Sequence, residues 1–266
     1  MKRHRFGELE CPELRAVIFD VDGTLADTER EGHRPAFNDA FLAHGVDVTW
    51  SPQEYGPLLG ITGGRRRIAA DLRARGFGDR AEDLAAEIHQ TKTELFRARI
   101  MAGDVSPRPG LVNLVRGLEA DEIRIAVATT GRSAWVDPLV ESILGHGVAE
   151  TVVTGDEVSR LKPDPEVYNR VLDELDVCAE NALAIEDSEV GLRAATAAGL
   201  ATIVVTTDYT ADQDFGGAAA VRAAFDGVES LDSASCSRIH RQWWIRRRLP
   251  TYADHIAAEI DTCAAD

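Results

Sequence analysis

Long apolar runs are missing from this 266-residue chain. The longest are the length of a β-strand, too short to cross a bilayer, so a membrane-spanning protein is excluded. The first residues, MKRHRFGELECPEL, are charged and lack the apolar stretch of a secretory signal. Cysteine is sparse: Cys11, Cys178, Cys236 and Cys263 show no CxxC spacing and no disulfide framework. Reduced thiols and a cytoplasmic location are therefore expected, rather than disulfides or zinc ligands. Lysine is nearly absent. Only Lys2, Lys92 and Lys162 occur, so 26 of the 29 basic residues are arginine.

Against those 29 bases stand 45 acids, a formal charge of −16 that should repel nucleic acid and anionic lipid. No nucleic-acid or membrane partner is expected. An acidic, lysine-poor surface is common in salt-loving cells, and a genome rich in GC, which favours arginine codons, gives the same bias. Either way an anionic substrate needs a local cationic site, which makes each positive side chain in a cleft conspicuous. The 44% hydrophobic content suffices for a sizeable core.

Along the chain, Arg15–Phe19 (RAVIF) reads as a strand running into DVDGTLADTE, where Gly23 permits a sharp turn. From about Glu29 to Arg99 the pattern is helical, broken by a loop at Leu59–Gly64. After the Pro107–Gly110 turn, strands at Ile123–Thr129, Thr151–Thr154, Ala182–Ile185 and Ala201–Thr206 alternate with helices such as Pro165–Leu175 and Val190–Ala198. Such alternation predicts an α/β fold with a Rossmann-like parallel sheet. In these sheets the ligand crevice lies beyond the carboxyl ends of the strands. The helical block inserted after the first strand would cover it as a lid.

Four clusters stand at those strand ends: Asp20-Val21-Asp22, Thr129, Lys162 in LKPDP, and Glu186-Asp187. Alone, a DxD is usually a pair of surface carboxylates, Glu186-Asp187 a helix-start charge pair, Thr129 a strand-end residue and Lys162 a solvated lysine. Together they form a kit for phosphoryl transfer. A carboxylate serves as nucleophile, while a hard cation held by few carboxylates and a lysine neutralise the transferring oxygens.

Taken in order, Asp20–Thr24 (DVDGT), Thr129, Lys162-Pro163 and Glu186-Asp187-Ser188 resemble the four signature motifs of the haloacid dehalogenase superfamily. DTEREGHRPAFNDAF, EYGPLLGITGGRRRI, TKTELF and YTADQDF further resemble its CbbY group, which includes phosphatases of xylulose 1,5-bisphosphate. The resemblance implies a Mg²⁺-dependent phosphatase of small sugar phosphates, with residues 14–28 and 106–232 as core and 29–105 as a helical cap. It casts Asp20 as nucleophile, Asp22 as general acid/base, Thr129 as phosphoryl ligand and Lys162 as charge balance. Asp187 would hold Mg²⁺ with Asp20, supported by Glu186, and Asp22 would add its backbone carbonyl. Thr130-Gly131-Arg132 departs from the longer Ser/Thr run of relatives.

In the cap, Arg65 and Lys92 suit a second phosphate, while Glu29 and His33 suit sugar hydroxyls or the leaving oxygen. Tyr55 reads as packing. The alternative activity is a sugar-phosphate mutase of the β-phosphoglucomutase type; a catalytically idle regulator is disfavoured because every catalytic position is filled. Residues 233–266 read as a docked or disordered extension, basic and then acidic. A monomer is expected.

Overall fold

The computed structural model describes residues 12–61 and 63–248. Cys11, Cys263, Thr62 and the acidic end of the C-terminal extension lie outside the described residues. Cys178 and Cys236 are free thiols. No described helix is long and apolar enough to cross a membrane.

The chain opens with β1 (Ala16–Phe19), then a π-helical turn over Thr28–His33 and four helices: α1 (Arg34–Ala43), α2 (Pro52–Leu58), α3 (Gly64–Ala74) and α4 (Ala81–Ala102). It continues through α5 (Leu111–Ala120), β2 (Arg124–Ala128), α6 (Ser133–Leu144), β3 (Thr151–Val153), α7 (Glu166–Leu175), β4 (Ala182–Glu186), α8 (Glu189–Ala197), β5 (Ala201–Val205), β6 (Ala220–Arg222) and α9 (Ser233–Arg248). The six strands form one parallel sheet in the order β3-β2-β1-β4-β5-β6.

Strand side chains alternate between faces. Val17, Phe19, Ile125, Val127, Leu183 and Ile185 meet α5, α6 and α9 on one face. Ala16, Ile18, Ala126, Ala128, Ala182 and Ala184 face α7 and α8, where the alanines admit close approach of Val167, Tyr168, Val171 and Leu175. Burial on both faces explains why the strands read as continuous apolar runs. β1 is central, and its neighbours β2 and β4 lie on opposite sides. The strand order therefore reverses beside Asp20, which is where a ligand crevice opens.

The block α1–α4 has its own core of Phe37, Phe41, Trp50, Tyr55, Ile68, Leu72 and Ile88. Ser51 starts α2 with a reciprocal capping box to Glu54, and Gly103 ends α4 in the left-handed conformation. Two chain segments join the block to the sheet, and Arg108 ties them together. Its backbone N–H donates to Leu25 O at 2.9 Å, while its guanidinium donates to the carbonyls of Gly23, Val205 and Thr206 at 2.6–2.7 Å.

Two elements go beyond the sequence reading. β6 is a three-residue edge strand beside β5. The first part of the C-terminal extension is helix α9, docked on the sheet by Cys236, Ile239 and Trp243 with Arg238, Arg241, Arg246 and Arg247 facing solvent.

Candidate active site

Parallel pairing places the ends of β1, β2 and β4 side by side, and four side chains converge there. Asp20 continues β1, its N–H donating to Ile185 O at 3.0 Å. The Lys162 ammonium reaches across from the loop before α7. It donates to Asp20 Oδ1 at 2.6 Å, Glu186 Oε1 at 2.7 Å and Ala128 O at 2.9 Å. Three donors meet three acceptors, so the buried amine is fully paired. Glu186 Oε1 also accepts from Tyr168 Oη at 2.5 Å. Fully buried Thr129 accepts at its hydroxyl from Gly131 N–H at 2.9 Å.

Crowding of carboxylates sets the electrostatics. Burial raises the pKa of Asp187 well above its ordinary value, and Asp20 and Glu186 beside it add to the effect. Burial likewise raises Asp20 and Glu186 against the pull of Lys162. For Lys162, burial alone would lower the ammonium, but Asp20 and Glu186 override it and hold it above its usual range. Glycines make room for the acids. A side chain at Gly23, whose φ is +79°, would overlap Asp187 Oδ2, and one at Gly191 would overlap the Glu186 carboxylate.

Could this site take a cation? Oxygens of Asp20, Glu186 and Asp187 lie within 4.8 Å of one another. Their negative charge exceeds what Lys162 supplies, and the Asp187 carboxylate accepts no hydrogen bond among the described residues. A buried, all-oxygen, electron-rich set fits a hard divalent cation. Glu186 is the least free of the three, because Lys162 and Tyr168 already occupy Oε1.

Asp22 points away from this floor, toward the helical block. Thr28 Oγ1 donates to it, and His33 Nε2 lies 3.7 Å from Oδ1. Its enclosed setting raises its pKa, partly offset by the Thr28 bond. His33 is stacked on Phe96 at 3.9 Å, with Trp135 of α6 edge-on at 5.9 Å. Burial first, and then Lys92, depress its pKa to about 3, so the ring is neutral at physiological pH. Lys92 Nζ lies 2.6 Å from His33 Nδ1; a protonated Lys92 donates there, which leaves the ring proton on Nε2, the side of Asp22. Lys92 itself sits over Phe37 and Phe96, and burial lowers it to about 8.

Glu29 joins the same network: Tyr55 Oη donates to Glu29 Oε2 at 2.5 Å and accepts from Arg67 Nη1 at 2.7 Å. Tyr55 packs as expected, but its hydroxyl also orients Glu29. Arg65, expected to meet a second phosphate, has a side chain that is 55% exposed and lies 3.7 Å from Glu82. Arg67 takes the inward place, 8% exposed, bonded to Leu58 O at 3.0 Å and 3.9 Å from Glu29. Residues 65 and 67 are about 200° apart on a helix, so both cannot face inward. The bare Arg65-Arg66-Arg67 run hides this phase, which appears only in the structure, where Arg67 is buried with Ile68, Ala69 and Leu72.

Comparison with known proteins agrees with this architecture. A family model for haloacid dehalogenase-like hydrolases matches residues 14–199. The chain belongs to this family and is a phosphoric monoester hydrolase within it. Several of the proteins it resembles are of the CbbY kind. Protein CbbY from Cereibacter sphaeroides is 44% identical over 225 residues, covering 82% of this chain and 97% of that protein. A CBBY-like protein from Arabidopsis thaliana is 37% identical over 244 residues, covering 86% and 76%. Among solved structures, a mutant of CbbY from Rhodobacter sphaeroides in complex with xylulose 1,5-bisphosphate is 42% identical with a TM-score of 0.70, covering 84% of this chain and 99% of that one.

Proposed function

We propose that the protein hydrolyses a small sugar bisphosphate, with xylulose 1,5-bisphosphate as the candidate, and that Mg²⁺ is its cofactor. The observation that carries this reading is the pairing of two unlike sites. A carboxylate floor at Asp20, Glu186 and Asp187 suits a transferring phosphoryl group with a cation. The Asp22–His33–Lys92 line leads from it to the cations Arg67 and Lys92, which suit a second phosphate. Residues 29–105 would then act as a cap over a core of 14–28 and 106–232.

In this mechanism Asp20 attacks phosphorus in line, forming an acyl phosphate as the ester bond breaks. Asp22, whose raised pKa favours holding a proton, gives that proton to the departing alkoxide. It later takes one from the water that releases phosphate and regenerates Asp20. Lys162 and Thr129 face the equatorial oxygens. Asp20, Asp187 and the Asp22 carbonyl would hold Mg²⁺, with Glu186 in support, and the ion would screen charge between nucleophile and phosphoryl group. Binding the distal phosphate falls to Arg67, through its planar fork, and to Lys92 as a point charge.

Phosphate release from mono- and bisphosphorylated pentoses and hexoses, with Mg²⁺ or chelator, tests the reading. The bisphosphate should give the highest kcat/KM, chelator should abolish turnover, and Asp20→Asn should leave less than about 1%. Preference for monophosphates would remove the distal-phosphate role. An isomerised sugar phosphate in place of inorganic phosphate would assign a mutase.

A further inference from the structure

The loop after β5 takes no part in the chemistry above, yet it touches the helical block beside Tyr55 and the π-helical turn. Thr206–Phe215 is hydrogen-bonded to neighbouring elements at both ends. Arg108 bonds the Val205 and Thr206 carbonyls, and Gln213 Oε1 accepts from Glu189 N–H at 2.8 Å, at the start of α8. Within it, Thr207 N–H donates to Thr210 Oγ1 at 2.9 Å and Tyr209 N–H donates to Thr207 Oγ1 at 3.2 Å. From this platform two side chains reach out. Asp208 pairs with Arg30 of the π-helical turn. Tyr209 lies edge-on to Tyr55, ring centroids 6.0 Å apart, and packs against the core of the helical block. Gly56 keeps the approach open, since a Cβ there would come within 3.3 Å of the Tyr209 ring. The Tyr209 hydroxyl is buried without a hydrogen-bond partner among the described residues, so the contact belongs to the ring.

We propose that Tyr209, backed by Asp208, is a positioning residue that fixes Tyr55 from the sheet side. Through the Tyr55 hydroxyl it sets Glu29 and Arg67 over the crevice. The inference rests on the reading of Glu29 and Arg67 as substrate contacts. Of the two reaching side chains Tyr209 carries the effect, because the Arg30–Asp208 pair is exposed and exposed pairs contribute little.

Steady-state kinetics of Tyr209→Ala, Tyr209→Phe and Asp208→Ala on xylulose 1,5-bisphosphate and p-nitrophenyl phosphate, beside amide hydrogen exchange of the free proteins, separate the possibilities. Tyr209→Ala should raise KM for the bisphosphate roughly 10-fold, with kcat within about 2-fold and the generic ester barely affected. Exchange should speed up in α2 and not in β1 or β4. Tyr209→Phe should match the parent, and Asp208→Ala should shift KM by less than about 3-fold. Unchanged KM and unchanged α2 exchange in Tyr209→Ala would overturn the proposal, as would equal losses on both substrates. If the parent protein does not turn over the bisphosphate at all, the functional reading fails by itself. The exchange pattern then still decides whether Tyr209 holds α2.

Discussion

Two ammonium groups, Lys162 and Lys92, meet opposite surroundings. Lys162 lies between Asp20 and Glu186 and keeps its proton across any working pH. Lys92 lies between aromatic rings, with burial lowering it to about 8. A lowered value means the cation is present below about pH 8 and lost as pH rises through it. The kcat/KM for a bisphosphate should therefore fall on an alkaline limb near 8, because that ratio reports the free enzyme. Lys92→Met should remove the limb while lowering kcat/KM roughly 10- to 100-fold. A limb that survives in Lys92→Met belongs to another group. At this scale the sequence was informative: of three lysines among 26 arginines, two are buried in the site. A compact ammonium fits three convergent acceptors or a gap between rings where a planar guanidinium does not.

Elements explain what the motifs alone left open. The four motif clusters were legible because parallel strands must place their carboxyl ends together; the roles of their residues came from the family resemblance. The inward residue of α3 was not legible, since three consecutive arginines carry no helical phase. Arg67→Ala should cost roughly 10- to 100-fold in kcat/KM on a bisphosphate, while Arg65→Ala should stay within about 3-fold. Equal effects from the two would mean that α3 turns in solution or that neither residue meets substrate. β6 escaped notice because AVR is short and half exposed at the sheet edge, without the apolar run of the inner strands. Helix α9 is mostly polar in composition, and its buried stripe mixes Cys236, Ile239 and Trp243 with Ser233, Ser235 and His240, so no apolar period marks it.

For the molecule as a whole, the carboxylate floor couples stability to pH and cation. Asp187 has a folded pKa above its unfolded value near 3.8. The folded state thus binds more protons than the unfolded state between those two values, and stability falls as pH rises through the folded pKa. In chelator, the melting temperature of the parent should decline as pH rises above about 4, and Asp187→Asn should decline less. Mg²⁺ should raise the parent's melting temperature far more than the variant's, because it binds the folded state alone. The formal charge of −16 also makes stability fall with pH, through general repulsion. The difference between parent and variant isolates the site. Identical slopes would show that Asp187 is already compensated without a cation.

The two segments that tie the helical block to the sheet have a mechanical consequence. They run side by side, and Arg108 bonds one to the other through Leu25 and Gly23 while also gripping the end of β5. A body hung on two adjacent straps swings about the line through both and resists twisting or sliding. A displacement of the block would therefore swing about that line and carry His33 and Lys92 along one arc relative to Asp22, where a single strap would leave the orientation open.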